Sequence, residues 1–480
     1  MSLRLYDTYS RAVQKFTPRH CGEVSIYICG PTVVVPPHVG QLRCQVSFDV
    51  LARWIQYRGC TVTLCRNVTD MEDMILRRAL TENVPWWLIA ETNYRSFFYA
   101  YDLLGCLPPT VEPRATGHIM EMIELIEELI KARHAYVADG DVYFSVGSFP
   151  EYGRLSRRRI PGARGEQPAG SSAGVPAESS GEPVAGKRDP SDFALWKRAK
   201  PGEPFWATPW GEGRPGWHLQ CSVMARKYLG REFDIHAGGA HLIFPHHENE
   251  IAQSRAAGDR FARFWLHGGT VTRGGEKIHK SADSPFSLSR VLDDVRPIEL
   301  RYYLGMSHYR SDVEFSRTAL REAAAAFRRI EGFVLRASRR LPHVAPAAAV
   351  PAEFAEAMDN DLNVPRGLTV VWAAVNDGNR ALAAGDDEEL ADAYSRLRAM
   401  LGVLGLDPLD ERWARRRVRD ERLEGTALAL ADLVTGLADT ARARGDDALA
   451  DRLLAQVGVA MSGLRAGWDE AGCSPSPVAG

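Results

Sequence analysis

The sequence lacks any apolar run near the roughly 20 residues needed to cross a bilayer, and no N-terminal stretch carries the apolar core of a secretory signal. A soluble cytoplasmic protein with no membrane partner is the expectation. It also lacks charge of one sign. With 59 Lys and Arg against 61 Asp and Glu, no global basic excess announces nucleic acid, and any RNA contact would need local patches. Cysteine is scarce: eight residues, at 21, 29, 44, 60, 65, 106, 221 and 473, show no disulfide-framework spacing, so reduced thiols and a metal are the better reading. The 45% hydrophobic and 25% charged fractions are those of a globular protein, and 480 residues exceed one core, which predicts two to four domains.

What is present centres on Phe244-Pro-His-His-Glu-Asn-Glu250. Pro245 suits a first helical position, and His246 and Glu250, four residues apart, then share one helix face. An imidazole and a carboxylate so placed can chelate zinc, with the missing ligands arriving as thiolates; Cys29 and Cys221 are the two candidates. The alternative is a solvated helix pair and two cysteines buried as ordinary hydrophobes. Cys29 follows the apolar run Val24 to Ile28, and Cys221 closes Gly216-Trp-His-Leu-Gln-Cys221. Both therefore stand where elements begin or end.

Taken in order, a strand over Val24 to Ile28, a loop to Gly40, a helix over Leu42 to Tyr57, a strand over Thr61 to Cys65 and a helix over Met71 to Leu80 predict an α/β fold with a parallel doubly wound sheet, whose ligands bind at the carboxyl ends of its strands. His38, Gly40 and Gln41 fall where the first loop meets its helix, a place suited to phosphates, although a glycine there is more often a turn device. A helix over Met120 to Arg133 and a strand over Val142 to Ser145 interrupt the alternation. A disordered loop is expected over Gly162 to Gly186, and the aromatics Trp206, Trp210 and Trp217 are read as core. Lys277 and Lys280 lie on a glycine-flanked loop able to close over a polyphosphate, or simply solvated. From Pro297 the pattern turns helical: Glu299 to Met306, Arg317 to Arg340, Pro351 to Met358, Leu368 to Ala384, Asp387 to Leu404 and Thr426 to Arg444 read as a bundle. Arginines 328, 329, 336, 339 and 340 give it a basic face.

Together, Tyr27-Ile-Cys-Gly-Pro-Thr-Val33, Lys187 to Trp196, Gly213-Arg-Pro-Gly-Trp-His218, Phe244 to Gln253 and Ser307-His-Tyr-Arg-Ser311 resemble the cysteinyl-tRNA synthetases, over roughly Tyr6 to Trp468 and in the same order. The resemblance implies a class I synthetase: a Rossmann nucleotide-binding domain with an insertion, followed by an all-α bundle. It implies ATP-dependent activation of L-cysteine and transfer to the 3′ end of tRNA. It further implies one zinc held by Cys29, Cys221, His246 and Glu250; an amino-acid pocket of Gly30, Thr32, Thr69, Trp217 and His236; catalysis by His38, Gln41, Lys277 and Lys280; and ATP, with Mg²⁺, held by those four together with Gly40 and Ser281. The expected boundaries are 1–109 and 213–270 for the two catalytic halves, 110–212 for the insertion, 271–345 for the signature loop and linker, 346–470 for the anticodon-stem-binding helices and 471–480 for a disordered tail. A monomer is expected, partnered by tRNA, L-cysteine and ATP.

The departures cluster around ATP. The first signature, usually His-Ile-Gly-His, is His38-Val-Gly-Gln41; the second, usually Lys-Met-Ser-Lys-Ser, is Lys277-Ile-His-Lys-Ser281. The family's Glu before the second zinc cysteine is Gln220, and its Tyr-Asp-Tyr is Val34-Val-Pro36. A divergent paralogue with slowed activation fits these changes. Two alternatives stay open: a ligase that passes the adenylate to a small amine, and a catalytically weakened tRNA-binding protein.

Overall fold

The structure, a computed structural model, describes residues 2–158, 186–278, 286–415, 433–443 and 446–455. The loop expected over 162–186, except Gly186, and the tail expected over 471–480 lie outside them, as do residues 456–470, Lys280 and Ser281.

A hairpin of β1 (Arg4–Asp7) and β2 (Ala12–Lys15) precedes β3 (Glu23–Ile28), α1 (Val39–Tyr57), β4 (Thr61–Arg66), α2 (Asp73–Glu82) and α3 (Trp86–Leu103). The helix read from Met71 starts two residues later, because Glu72 takes the cap position and its carboxylate accepts from Met74 N. Next come α4 (Ile119–Lys131), β5 (Ala135–Ala138), β6 (Asp141–Phe144), β7 (Phe193–Arg198), β8 (Trp206–Thr208) and β9 (Gly211–Pro215), and these five strands pair as an antiparallel sheet in the order β5-β6-β7-β9-β8. The chain then returns through α5 (Trp217–Leu229), β10 (Glu232–Gly239), α6 (Glu248–Ala256) and β11 (Phe261–Gly268).

The nucleus is the four-stranded, all-parallel sheet β11-β10-β3-β4. Its strands read as nearly continuous apolar runs because both faces are covered; Ile26, Ile235 and Leu266 are fully buried, each stabilising by about 1.5–3 kcal/mol. Strand order reverses between β3 and β10, so the crevice beyond their carboxyl ends is the switch point where such folds take ligands.

β12 (Val271–Arg273) and β13 (Glu276–Lys277) form a hairpin, followed by α7 (Leu288–Leu292), α8 (Pro297–Gly305) and β14 (Val313–Glu314), which runs parallel to β12. α9 (Arg317–Arg340), α10 (Ala352–Asp359), α11 (Val364–Ala384) and α12 (Asp387–Leu404) build the bundle, close to their expected spans. Of the helix read over Thr426 to Arg444, residues 433–443 are described and helical. The basic face of α9 is largely engaged: Arg328 pairs with Glu299, Arg336 donates to Asn379, Arg340 pairs with Asp387 and Arg329 lies over Trp372.

The bundle is locked to the parallel-sheet nucleus through α1. Asp49, 1% exposed, accepts from Arg301 Nη2 at 2.5 Å and Arg53 Nε at 2.8 Å; Arg301, equally buried, also donates to Leu104 O and Leu404 O. Burial alone would raise the Asp49 carboxyl, but the two guanidiniums outweigh it and hold it below the usual carboxylate range. Among the described residues, no helix is long and apolar enough to cross a membrane.

Candidate active site

Cys29 leaves the carboxyl end of β3 and Cys221 lies in the second turn of α5. His246 and Glu250 come from the segment that opens α6. That opening differs from the plain helix start expected: Phe244 is extended (φ −138°, ψ 135°), the Phe244–Pro245 bond is cis, and the turn over Ile243–His247 is a wide π-turn before α6 begins at Glu248. The four donor atoms nonetheless converge, all within 4.8 Å of one another. The two sulfurs stand 3.8 Å apart, Cys29 Sγ is 3.6 Å from Glu250 Oε1, and His246 Nε2 is 3.1 Å from that same oxygen. A tetrahedral zinc with about 2.3 Å bonds to sulfur separates two thiolates by about 3.8 Å. The donor set therefore fits zinc by both type and spacing.

The surroundings orient these donors. His218 Nδ1 lies 2.9 Å from His246 Nδ1, which leaves His246 Nε2 on the carboxylate side. His236 Nε2 holds the other carboxylate oxygen, Oε2, at 2.8 Å. Burial raises the Glu250 carboxyl well above its ordinary value, and burial followed by the neighbouring Cys221 does the same to the Cys29 thiol. Burial, with smaller repulsion from His218, His236 and His241, keeps the His246 imidazole neutral, and burial pulls His236 down to about 3. Neutral donors enclosed in apolar surroundings are what a divalent cation would turn into an ionic cluster. Cys29, His236, His247 and Glu250 form a second, overlapping group of the same kind.

Beside this cluster, Trp217 stacks on His246 at 4.2 Å between ring centroids. Gly30 N donates to Asn67 Oδ1 at 2.9 Å, Asn67 Nδ2 reaches Thr69 Oγ1, and Thr32 bridges Thr69. A Cβ on Gly30 would lie 1.6 Å from Asn67 O, so only glycine admits this crossing. His236 is fully buried and supports Glu250, with Trp265 stacked on its ring.

The first signature caps α1. His38 Nδ1 accepts from Gly40 N at 3.2 Å while Gln41 Oε1 accepts from His38 N at 3.3 Å, a reciprocal capping box. Accepting at Nδ1 puts the imidazole proton on Nε2, and Gln41 keeps its amide hydrogens for donation. Lys277 pairs through its backbone with Thr272 at the end of the β12–β13 hairpin.

Reading from sequence missed His218, His236 as the support of Glu250, His247 and Asn67. The only signal was the density of histidine in Gly216-Trp-His218 and Asp234-Ile-His236.

Residues 15–325 match the family described as tRNA synthetases class I (C) catalytic domain, and residues 353–408 match the DALR domain. The switch-point site and the trailing helical bundle are thus those of a class I aminoacyl-tRNA synthetase. A solved Mycobacterium tuberculosis methionyl-tRNA synthetase in complex with methionyl-adenylate superposes with a TM-score of 0.54 at 14% identity, covering 81% of this chain and 90% of that one; at such identity the likeness speaks for fold alone. Cysteine–tRNA ligases from Streptomyces avermitilis and Streptomyces griseus are each 53% identical over 458 residues, spanning 95% of this chain and 96% of theirs. The chain belongs to the cysteine–tRNA ligase family.

Proposed function

We propose that this chain activates L-cysteine with ATP and transfers it to the 3′ end of a cysteine-accepting tRNA. The observation that carries the reading is that a chain belonging to this family over nearly its whole length gathers Cys29, Cys221, His246 and Glu250 at the switch point of its sheet. In this reading the carboxylate of cysteine attacks the α-phosphorus of ATP, pyrophosphate leaves, and a terminal ribose hydroxyl then attacks the adenylate carbonyl and releases AMP. Cys29, Cys221, His246 and Glu250 would hold a zinc ion, which would supply a soft Lewis acid that a thiolate binds far better than a hydroxyl does.

The chain's own residues do the rest. Trp217 and Thr69, with Gly30 and Thr32, wall the amino-acid pocket, and His236 fixes Glu250 from behind. The positive end of the α1 dipole favours the phosphates, and because the first-turn amides are engaged within the protein, His38 Nε2 and the Gln41 amide are the donors toward them. Lys277, Lys280 and Ser281 of the second signature would bind the phosphates of ATP with its magnesium. Catalysis of this kind rests on positioning and charge stabilisation. Residues 346–470 serve as the anticodon-stem side, and a cytoplasmic monomer goes with the reading.

The test is cysteine-dependent ATP–pyrophosphate exchange with serine as the control, alongside metal analysis of the same sample. One zinc per chain and exchange with cysteine alone are expected, with both lost in Cys221→Ala. Equal exchange with serine, or a metal-free protein of full activity, would remove the reading.

A further inference from the structure

The first signature sits at the N-terminus of α1, and the second lies on the segment that leaves β11 and returns at α7. Both ends of that segment are fastened to α1. At the far end the fastening is backbone: Val39 N donates to Phe286 O at 3.1 Å, Leu288 N donates to Pro37 O at 3.3 Å, and His38 bridges Ser287. At the near end it is one side chain. Arg43 donates through Nη1 to Gly269 O at 2.8 Å and through Nη2 to His308 O at 3.0 Å and Ser311 O at 2.6 Å. The strands so gripped are tied to each other, with Gly269 N on Tyr309 O, Val313 N on Thr270 O, and β12 alongside β14. A Cβ on Gly269 would lie 2.2 Å from Ser311 O, so the crossing has no slack.

Arg43 is a costly fastener. It is 1% exposed, its partners are three carbonyls, and no carboxylate forms an ion pair with it among the described residues. Burial of the cation is costly, and the Asp312 charge offsets that cost only through space, without an ion pair. The planar fork of a guanidinium serves three carbonyls from one rigid head, which a lysine ammonium on its flexible stem does not reproduce.

We propose that Arg43 is a positioning residue that pins the root of the β12–β13 hairpin to the helix carrying His38 and Gln41, so that the hairpin stands in a fixed register to the first signature. The proposal rests on the ligase reading above, because register matters only if both signatures act on the same nucleotide. Displacement of a reacting group by about 1 Å costs on the order of 100-fold in rate.

The experiment compares wild type, Arg43→Met, Arg43→Lys and the remote bundle variant Val371→Ala, all assayed well below their melting temperatures. Pyrophosphate exchange is read as separate kcat and KM values for ATP and for cysteine, and amide hydrogen exchange is followed over 269–277 and 308–315. Arg43→Met is expected to lose about 10–100-fold in kcat. Its KM for cysteine and its zinc content should stay as in wild type, and amides at 269–277 and 308–315 should exchange faster. Arg43→Lys should lie between, and carries the test if Arg43→Met does not fold. Val371→Ala, whose side chain is buried in α11, should lower the melting temperature without moving kcat. Wild-type kcat in Arg43→Met, an equal loss in Val371→Ala, or a rise in the KM for cysteine that accounts for the whole defect would overturn the proposal. If wild type itself shows no exchange, the ligase reading fails separately. Hydrogen exchange then decides whether Arg43 fastens the root: faster amides in Arg43→Met support it, and unchanged amides refute it.

Discussion

At residue scale, the site depends on atoms that sequence spacing brings only halfway together. His246 and Glu250 were legible from their four-residue offset, and Cys29 and Cys221 from their places at element ends and from the family resemblance. The contacts that orient them were not. His218 reaches His246 across 28 residues and His236 reaches Glu250 across 14, distances that only the folded sheet converts into hydrogen bonds. Removing this support should be measurable apart from the ligands: His236→Ala frees Glu250 Oε2, and losing such an outer contact lowers metal affinity about 10–100-fold. Competition with a chromophoric chelator reads this directly, and unchanged affinity would show that His236 does not orient the carboxylate. Gln41 allows a second test. Its Oε1 is committed to the His38 amide, so one imidazole donor of the usual signature is replaced by an amide already bent back to cap the helix. Gln41→His should speed pyrophosphate exchange, on the ~10–1000-fold scale of a single transition-state donor, and matched rates would refute the idea that this change slows activation.

At the scale of elements, α1 is the piece the sequence described least well. Its span was readable, but its burial was not: Arg43, Gln45 and Asp49 are polar and lie on more than one face of the helix, yet all three are buried because the sheet lies on one side and α8 and α12 on the other. Periodicity shows which residues are apolar and not how many neighbours a helix will have. The same limit applied to α9, whose basic face turned out to be paired with Glu299 and Asp387. The Asp49–Arg301 pair makes a stability prediction with a sign. Because the folded-state carboxyl is depressed, its contribution is fully present above the unfolded value near 4 and is lost as pH falls through the lower folded value. Thermal melts of wild type should therefore lose stability below about pH 4 more steeply than melts of Asp49→Asn, which begins less stable. Parallel curves would show that the pair is not linked to folding. At neutral pH, Arg301→Ala should cost about 3 kcal/mol, since it leaves the buried Asp49 carboxylate to Arg53 alone and removes the donor from two carbonyls.

At the scale of the whole molecule, the parallel sheet, its interruption and the helical bundle could all be read in order, because short apolar runs alternate with stretches of period 3.6 along the chain and the change to an almost entirely helical pattern near Pro297 is abrupt. The antiparallel sheet of β5 to β9 was only half visible, since β8 and β9 are short and their Trp, Gly and Pro content reads as loop rather than strand. The bundle and the parallel-sheet nucleus are not two beads on a string. Arg301, Asp361 and Trp413 each bond across the boundary or pack against it, with Asp361 accepting from Tyr6 N, Tyr309 OH and Arg310 Nε. A molecule so joined suits an acceptor that must touch both parts at once, as a tRNA does. The most direct measurement of the account is therefore aminoacylation itself: bulk tRNA, ATP and labelled cysteine, with acid-stable, base-labile label recovered in the RNA. The account predicts charging with cysteine and none with serine. Robust pyrophosphate exchange with no label in tRNA would contradict it and move the acceptor to a small amine.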